Sequence, residues 1–464
     1  MKCNYYCFEV NSTYYAIDIV RLIPLNLSRE LYLLLYHLQQ RNIKYIENFD
    51  KFTGIALEEI KILSDQNILI HKDDIEVNNS FRELSLSFIP TLSCNFKCKY
   101  CYSNRKYDNI EMKEATLQKA IDFFCKNFDF SFCRVDFVSG GEPLYNKPAL
   151  IKMIDSISEC LDINSKNHFF WLCSNGTLFD DEIVSYLDKK HCNIGISLDG
   201  PQNINDANRV FKNGKGTYRH VVEEIQRINN RADLSRNIKN LWNSAVITED
   251  TYSLPRVMRN SYELGFRNLQ MKVLWSSDVS SYDFTKKMIC LFEELSDYMF
   301  KLIENDQMEE FLMICNENDT FGKILLRIII QSGVVRRCNA GINKFSVSPE
   351  GEIYPCDSFM SIGKCSLGNI YDGFNDMYFK FVKIRNNNIE GCKNCWIRNI
   401  CGGDCYYNSY INSGDPTIPD EKICNITKSI TKLCIKLVIN LYCSFPDKMQ
   451  NIYNILAKRT TRME

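Results

Sequence analysis

Between residues 84 and 275, short runs of aliphatic and β-branched residues alternate with longer stretches whose apolar positions recur at helical spacing. Leu84–Ile89, Arg134–Val138, His168–Cys173, Asn193–Leu198, Leu241–Ile247 and Asn268–Val273 read as strands. Lys113–Phe124, Lys147–Leu161, Asp181–Lys189, Tyr218–Ile228 and Tyr252–Leu264 read as the helices between them. Six such units predict an α/β fold over residues 84–310, with a parallel sheet and right-handed crossovers. Either an open sheet or a partial barrel satisfies that pattern.

Residues 1–80 are patterned differently. Tyr5–Val10 and Tyr14–Ile19 flank Asn11-Ser12-Thr13, a turn composition that predicts a hairpin. Ser28 is placed to cap a helix carrying Leu31, Leu34, Leu35 and Leu38 on one side. A second helix near Ala56–Ser64 leads to a short strand at Ile68–Ile70, and the polar stretch His71–Ser80 reads as a linker. The order predicts a winged-helix-like module. Such folds often bind nucleic acid, but no basic stripe runs through this one, and no nucleic-acid partner is expected. Residues 311–335 read as a helical connection, 336–430 as a loop-rich, cysteine-rich domain, and 431–464 as an amphipathic helical tail.

Composition sharpens this picture. The 464 residues are 45% hydrophobic and 24% charged with a net charge of −1, so sizeable cores can form and no global field attracts nucleic acid or an anionic membrane. The longest apolar runs, Ile324–Ile330 and Leu433–Tyr442, are too short to span a bilayer and are interrupted by Arg327 and Lys436. Met1–Val10 lacks a signal-peptide pattern, so a cytoplasmic protein with no membrane partner is expected. The anomaly is 22 cysteines against five histidines. In a long chain without an export signal, regularly spaced cysteines point to metal rather than disulfides, and a nearly pure thiolate field to iron–sulfur clusters or zinc.

Cys94-x3-Cys98-x2-Cys101 directly follows the first strand of the βα array. Three thiolates on one loop can ligate three irons of a [4Fe–4S] cube and leave the fourth open to a chelating ligand. A zinc site needs a fourth ligand, and Leu92–Asn109 holds no other Cys and no His. The second strand ends in Gly140-Gly141-Glu142-Pro143: glycines that let a ligand approach the backbone, and a carboxylate suited to an ammonium group. The third ends in Ser174-Asn175-Gly176-Thr177, and the fourth in Ser197-Leu198-Asp199-Gly200-Pro201, with Arg209 following. Singly, each is an ordinary turn. In a parallel array the loops after the strands share one rim, so these would converge on one pocket beside the open iron.

These motifs, in this order, closely resemble the radical S-adenosylmethionine (SAM) superfamily. The resemblance implies a partial (β/α)6 TIM barrel in which Cys94, Cys98 and Cys101 hold a SAM-binding [4Fe–4S] cluster. It implies that Gly140, Gly141, Glu142 and Pro143 meet the methionine amino group, and that Asn175 belongs to the cofactor site. Ser197 and Arg209 would serve the carboxylate or ribose of SAM, and Tyr100 would lie near its adenine. In that family, electron transfer from the cluster cleaves SAM to a 5′-deoxyadenosyl radical that abstracts a substrate hydrogen.

Beyond the barrel, Cys338, Gly351-x4-Cys356, Cys392-x2-Cys395-x5-Cys401-x3-Cys405 and Cys424 resemble the seven-cysteine SPASM extension of radical SAM enzymes that act on peptides and proteins. A zinc ribbon is the alternative for the Cys-x2-Cys pair. The SPASM pattern implies two auxiliary clusters and hence three [4Fe–4S] clusters in all. Cys338, Cys356 and Cys405 would hold the first; Cys392, Cys395, Cys401 and Cys424 would hold the second. The fourth iron of the first is either open, as where relatives are proposed to bind a substrate thiolate, or closed by Cys365. Most remaining cysteines read as small buried hydrophobes.

Two enzyme readings compete. A recognition module, a radical SAM core and a SPASM extension, in that order, resemble the sactipeptide and ranthipeptide maturases. These join a cysteine sulfur to a carbon of another residue in a ribosomally made precursor. The resemblance implies a leader peptide bound at residues 1–80 as an added strand, and the chemistry implies reduced flavodoxin or ferredoxin as electron donor. The alternative, an anaerobic sulfatase-maturating enzyme making formylglycine, rests on Asp357 after Cys356, which resembles that family's catalytic base. Against it stand the additional N-terminal module and the lack of a further cysteine in Asn339–Phe345. Asp357 could equally be a hydrogen-bonded group beside the cluster. A non-catalytic Fe–S scaffold would require the rim motifs to be coincidental.

Overall fold

The computed structural model describes residues 2–41, 55–66, 82–101, 112–138, 140–235, 240–274 and 282–461, with positions 68, 70, 71 and 238 between them. Beyond His71, the expected linker lies outside the described residues.

The N-terminal segment forms β1 (Lys2–Cys3), β2 (Tyr5–Val10), β3 (Thr13–Asp18), β4 (Pro24–Asn26) and β5 (Ile70–His71). β2, β3 and β4 make an antiparallel sheet, and β1 pairs with β5. The hairpin turns at Asn11 and Ser12, with φ of 49° and 60°, the hand of turn that matches strand twist. Ser28 caps helix Arg29–Gln40, its side chain accepting from the Leu31 N–H at 3.1 Å. The sequence pattern does not announce β4, because three residues opening on proline carry no periodicity.

One face of this sheet, with Tyr5, Cys7 and Ala16, packs on Leu31, Leu35, Leu38 and Ile60 of the module's own helices. The other, with Phe8, Tyr15 and Ile17, joins a core shared with the rest of the chain. There Tyr6 stacks on Trp396 with ring centroids 4.0 Å apart, and Asn399 Nδ2 donates to the Ile19 carbonyl at 2.8 Å.

All six expected barrel strands form: β6 (Glu83–Phe88), β7 (Phe132–Phe137), β8 (Asn167–Ser174), β9 (Asn193–Ser197), β10 (Trp242–Ile247) and β11 (Asn268–Val273). They are parallel and lie side by side in chain order. Alternation divides their side chains between two environments. Leu86, Val135, Leu172, Ile196, Ala245 and Met271 are buried beneath the helices. The opposite parity carries Ser85, Asp136, Ser197, Ser244 and Lys272 beside Phe169, Trp171, Trp242 and Val246, so the lumen wall mixes polar and aromatic groups.

The region after Cys338 departs from the loop-rich expectation. β12 (Lys344–Val347) adds to β6 in parallel, and β13 (Glu352–Tyr354), β14 (Gly368–Asn369) and β15 (Gly373–Phe374) follow antiparallel, making ten strands in one sheet. These strands have two to four residues each, too short for a readable period. Phe345 of β12 is fully buried, its ring 5.1 Å from that of Phe124 and 5.2 Å from that of Phe128. The C-terminal helix starts earlier than expected, as Glu421–Ser444, so Cys424 sits in its first turn. Ile324–Ile329 and much of Leu433–Leu441 are buried in the second core. No helix of the described residues is long and apolar enough to cross a membrane.

Truncating Phe345 to alanine should destabilise the protein by about 3–5 kcal/mol, because the ring joins the added strands to the barrel helix Glu114–Asn127. Chemical denaturation of the two proteins checks this, and a loss below about 1 kcal/mol would contradict it.

Candidate active site

The loop after β6 carries Cys94, Cys98 and Cys101 and is held as a strand-like partner of the segment before helix Tyr218–Asn230. The Lys97 N–H donates to the Val210 carbonyl at 2.8 Å, Lys99 to Asn208 at 3.0 Å, and Lys212 back to Asn95 at 3.2 Å. The three thiols lie within electrostatic reach of one another. Cys94 Sγ accepts from the Phe96 N–H at 3.4 Å and from Asn175 Nδ2 at 3.9 Å. Burial pushes the Cys98 thiol up to about 11, against the pull of Arg209, so metal must displace its proton for ligation.

The glycine pair has a structural role of its own. A Cβ on Gly141 would lie 2.1 Å from the Ser93 carbonyl oxygen, and one on Gly140, at φ +91°, 2.4 Å from Ile89 Cγ2. The Gly141 N–H donates to Thr91 and the Glu142 N–H to Ser93, at 2.9 and 2.8 Å. Both glycines are required because the stem of the cysteine loop crosses them. Glu142 is likewise committed. Its buried carboxylate accepts from Ser174 Oγ at 2.7 Å and from the N–H groups of Asn175 and Leu144 at 2.6 and 3.1 Å. It clamps the ends of β7 and β8 together, and Pro143 starts the short helical turn that it caps. Desolvation raises its pKa, and those three hydrogen bonds oppose the rise.

Asn175 belongs to the same brace. Its Nδ2 donates to Asn95 Oδ1 at 2.7 Å, while its Oδ1 accepts from the backbone and hydroxyl of Thr177. Tyr100 and Arg209 meet on a residue that the sequence reading quoted but did not select. Asp199, 1% exposed, accepts from the Tyr100 hydroxyl at 2.6 Å, from Arg209 Nε at 3.1 Å and from the Val246 N–H at 3.0 Å. The Arg209 guanidinium also lies over the Tyr100 ring, 5.5 Å from its centroid. Burial opposes the Arg209 charge, but Asp199 outweighs it and keeps the group protonated. The signal for Asp199 was its position: an acid at a strand end, ten residues before an arginine. Ser197 faces the lumen with its Oγ 3.6 Å from Cys173 Sγ.

The C-terminal cysteines gather in two places. Cys392, Cys395, Cys401 and Cys424 line one cavity of about 180 Å³, together with Arg337, Asp404 and Lys428. Burial pushes the Cys392 and Cys424 thiols up to about 12, and the neighbouring cysteines add to the rise. Cys338, Cys356 and Cys405 are mutual electrostatic neighbours at a second point. Asp357 opens the helix Asp357–Ile362 there, next to Cys356. Cys365 packs on the same core as Cys356, and the charged groups that act on its thiol are Asp415 and Lys364. Among the described residues, no three Cys, His, Asp or Glu side chains close around a single ion. The four thiols instead surround a volume, and their soft donor chemistry fits a multi-iron cluster.

Residues 88–235 match the family model of the radical SAM superfamily. This chain is a radical SAM enzyme. Membership implies SAM and a [4Fe–4S] cluster, for which Cys94, Cys98 and Cys101 are the donors available on the β6 loop. A cysteine-type anaerobic sulfatase-maturating enzyme of Clostridium perfringens is 26% identical over 352 residues, covering 69% of this chain and 88% of its own. The solved structure of anSMEcpe with bound AdoMet superposes with a TM-score of 0.64 at 22% identity, covering 80% of this chain and 98% of that one. Streptococcus suis SuiB bound to its precursor peptide SuiA gives 0.50 at 16% identity, covering 91% and 99%.

Replacing Asp199 with asparagine leaves Arg209 buried without its counter-charge and should destabilise the protein by about 3–5 kcal/mol. The loss, read by chemical denaturation, should persist in an Asp199→Asn variant assayed at high salt, since a buried pair is poorly screened. A change within about 0.5 kcal/mol would contradict the clamp. Replacing Cys94 or Cys98 with alanine should abolish 5′-deoxyadenosine production from SAM, followed by chromatography after anaerobic reduction.

Proposed function

We propose that this radical SAM enzyme modifies a cysteine-containing, ribosomally made precursor peptide, joining the cysteine sulfur to a carbon of another residue. The observation that supports the reading is the gathering of seven C-terminal cysteines into a four-thiol cavity and a three-thiol group. A three-thiol group beside the barrel is suited to a cluster with one iron open to a substrate thiolate. The four-thiol cavity is suited to a closed cluster, giving three [4Fe–4S] clusters in all. With these and SAM bound, the site supplies a radical that takes one hydrogen from substrate carbon and an acceptor for the electron left when the C–S bond forms.

The chain's own residues divide the remaining work. Glu142 and Asp199 hold the cysteine loop and the SAM-facing rim in register. Gly140 to Pro143, Asn175, Ser197, Arg209 and Tyr100 remain the proposed cofactor surroundings, several of them acting through the clamps rather than by direct contact. Asp357, beside Cys356, is the group proposed to receive the substrate thiol proton. Residues 1–80 are the proposed leader-binding module, and a reduced flavodoxin or ferredoxin the proposed electron donor. SuiB, crystallised with its precursor SuiA, aligns over 91% of the chain and so supports a peptide substrate.

Sulfatase maturation is the second reading, favoured by the relatives in Clostridium perfringens and by Asp357. The two part on product. Anaerobic co-expression with short cysteine-containing peptides encoded near the gene should give a product lighter by two hydrogens for each thiol lost to alkylation. An unmodified precursor, with an aldehyde formed on a sulfatase-motif peptide, would reverse the choice.

A further inference from the structure

Two lysines face the barrel lumen with no role in the motifs considered so far. Lys272 is the next-to-last residue of β11, and the register Val246↔Lys272 puts it on the lumen parity. Lys344 opens β12 opposite Ser85, on the same parity. β11 and β12 lie at opposite ends of the run of parallel strands, so the barrel's curvature turns these side chains toward one another. Their ammonium groups are close enough to repel.

Both lysines also sense Asp357 and the three-thiol group, Lys272 through Cys405 and Lys344 through Cys356. Among the described residues, no ion pair ties either ammonium to a carboxylate. The other acid nearby, Asp136, is already bonded to Arg134 Nε at 2.6 Å and to Ser85 Oγ at 3.2 Å. One step nearer the rim, Ser87 and Ser346 pair across β6 and β12. Both are at most 1% exposed, and neither hydroxyl has a hydrogen-bond partner. Lys272 is exposed to the lumen and Lys344 half-buried, whereas the two buried hydroxyls are costly unsatisfied in the free protein, and together the four groups favour an oxyanion on this wall.

We propose that Lys272 and Lys344, backed by the hydroxyls of Ser87 and Ser346, seat a carboxylate of the peptide substrate beside the Cys338/Cys356/Cys405 group. A carboxylate offers two oxygens, one to each ammonium, and accepts from hydroxyls as well. The seat is a specificity determinant: it selects a substrate with an acidic side chain or a free C-terminus close to the modified position. This rests on the peptide-maturase reading only in that a peptide enters the lumen. Burial and the Lys344 charge lower the pKa of Lys272, while Asp136 and Asp357 hold Lys344 above its usual range despite burial. An incoming anion relieves the repulsion between them.

The test is calorimetric binding, without turnover, to the full-length enzyme reconstituted anaerobically and saturated with SAM. The probes are acetyl-Ala-Cys-Glu-amide, acetyl-Ala-Cys-Gln-amide and acetyl-Ala-Cys-Gln with a free C-terminus. The wild type should bind at least one acidic probe about tenfold more tightly than the neutral amide, and the arm that gains tells side chain from C-terminus. Lys272→Met/Lys344→Met should lose the preference and Lys272→Arg/Lys344→Arg should retain it, both with iron content and SAM affinity unchanged. Equal or undetectable binding of all three probes overturns the proposal. So does a loss of SAM affinity in the methionine variant, which would give the lysines to the cofactor. Failure of the product assay with the acidic preference intact would instead count against the maturase reading alone.

Discussion

Two buried carboxylates hold the reactive end of this barrel together. Loops at the end of a parallel sheet are free to splay, and a radical site demands that several of them keep their separation. Glu142 joins β7 to the loop after β8 through Ser174 and Asn175, and its own backbone ties to Ser93 under the cysteine loop. Asp199 joins the loop after β9 to Tyr100 of the cysteine loop, to Arg209 and to β10. Each acid is satisfied by three donors, which is the condition for burying it at tolerable cost. The cysteine loop is thereby fixed at its stem and near its third cysteine.

The same economy explains why conspicuous motif residues serve structure before ligand. Gly141 is a glycine because the Leu92–Ser93 backbone passes where a Cβ would stand, and Gly140 because its φ is +91° and the Ile89 side chain fills that space. Asn175 spends its amide on Asn95, Cys94 and Thr177. Its N–H contact with Cys94 Sγ is the kind of hydrogen bond that tunes a cluster's potential. A second layer of organisation lies at the edge of the parallel strands beyond β6. There β12 pairs with β6, and Cys405 of the three-thiol group lies within electrostatic reach of Lys272. The N-terminal sheet rests on the Cys338–Cys405 region, through Tyr6 on Trp396, which lies between Cys395 and Cys401. The N-terminal module is therefore in contact with the loop between Cys395 and Cys401, two of the four cavity thiols.

Legibility in the sequence followed the length and period of each element. The six barrel strands and the helices between them were readable to within a few residues, since each is long enough to show its period. Ser28 and the hairpin at Asn11–Ser12 were readable from local chemistry alone. β4 and β12–β15 were not, because strands of two to four residues draw their stability from neighbours distant in the chain. The cysteine groupings were accessible from spacing, whereas the left-handed backbone at Cys365, with φ of 59°, was not. The three donors that meet Glu142 were not legible either: the sequence displays a carboxylate at the rim but not its partners. Lys272 and Lys344 lie about seventy residues apart and only the barrel's curvature relates them.

The most direct test of the account is the iron and sulfide content of the anaerobically reconstituted full-length enzyme, read together with its Mössbauer spectrum. The account predicts about twelve irons and twelve sulfides per chain in [4Fe–4S] form, falling by about four irons when Cys392 and Cys395 are both replaced. A wild-type value near four irons, unchanged by that replacement, would mean that the seven C-terminal cysteines hold no clusters and would contradict it.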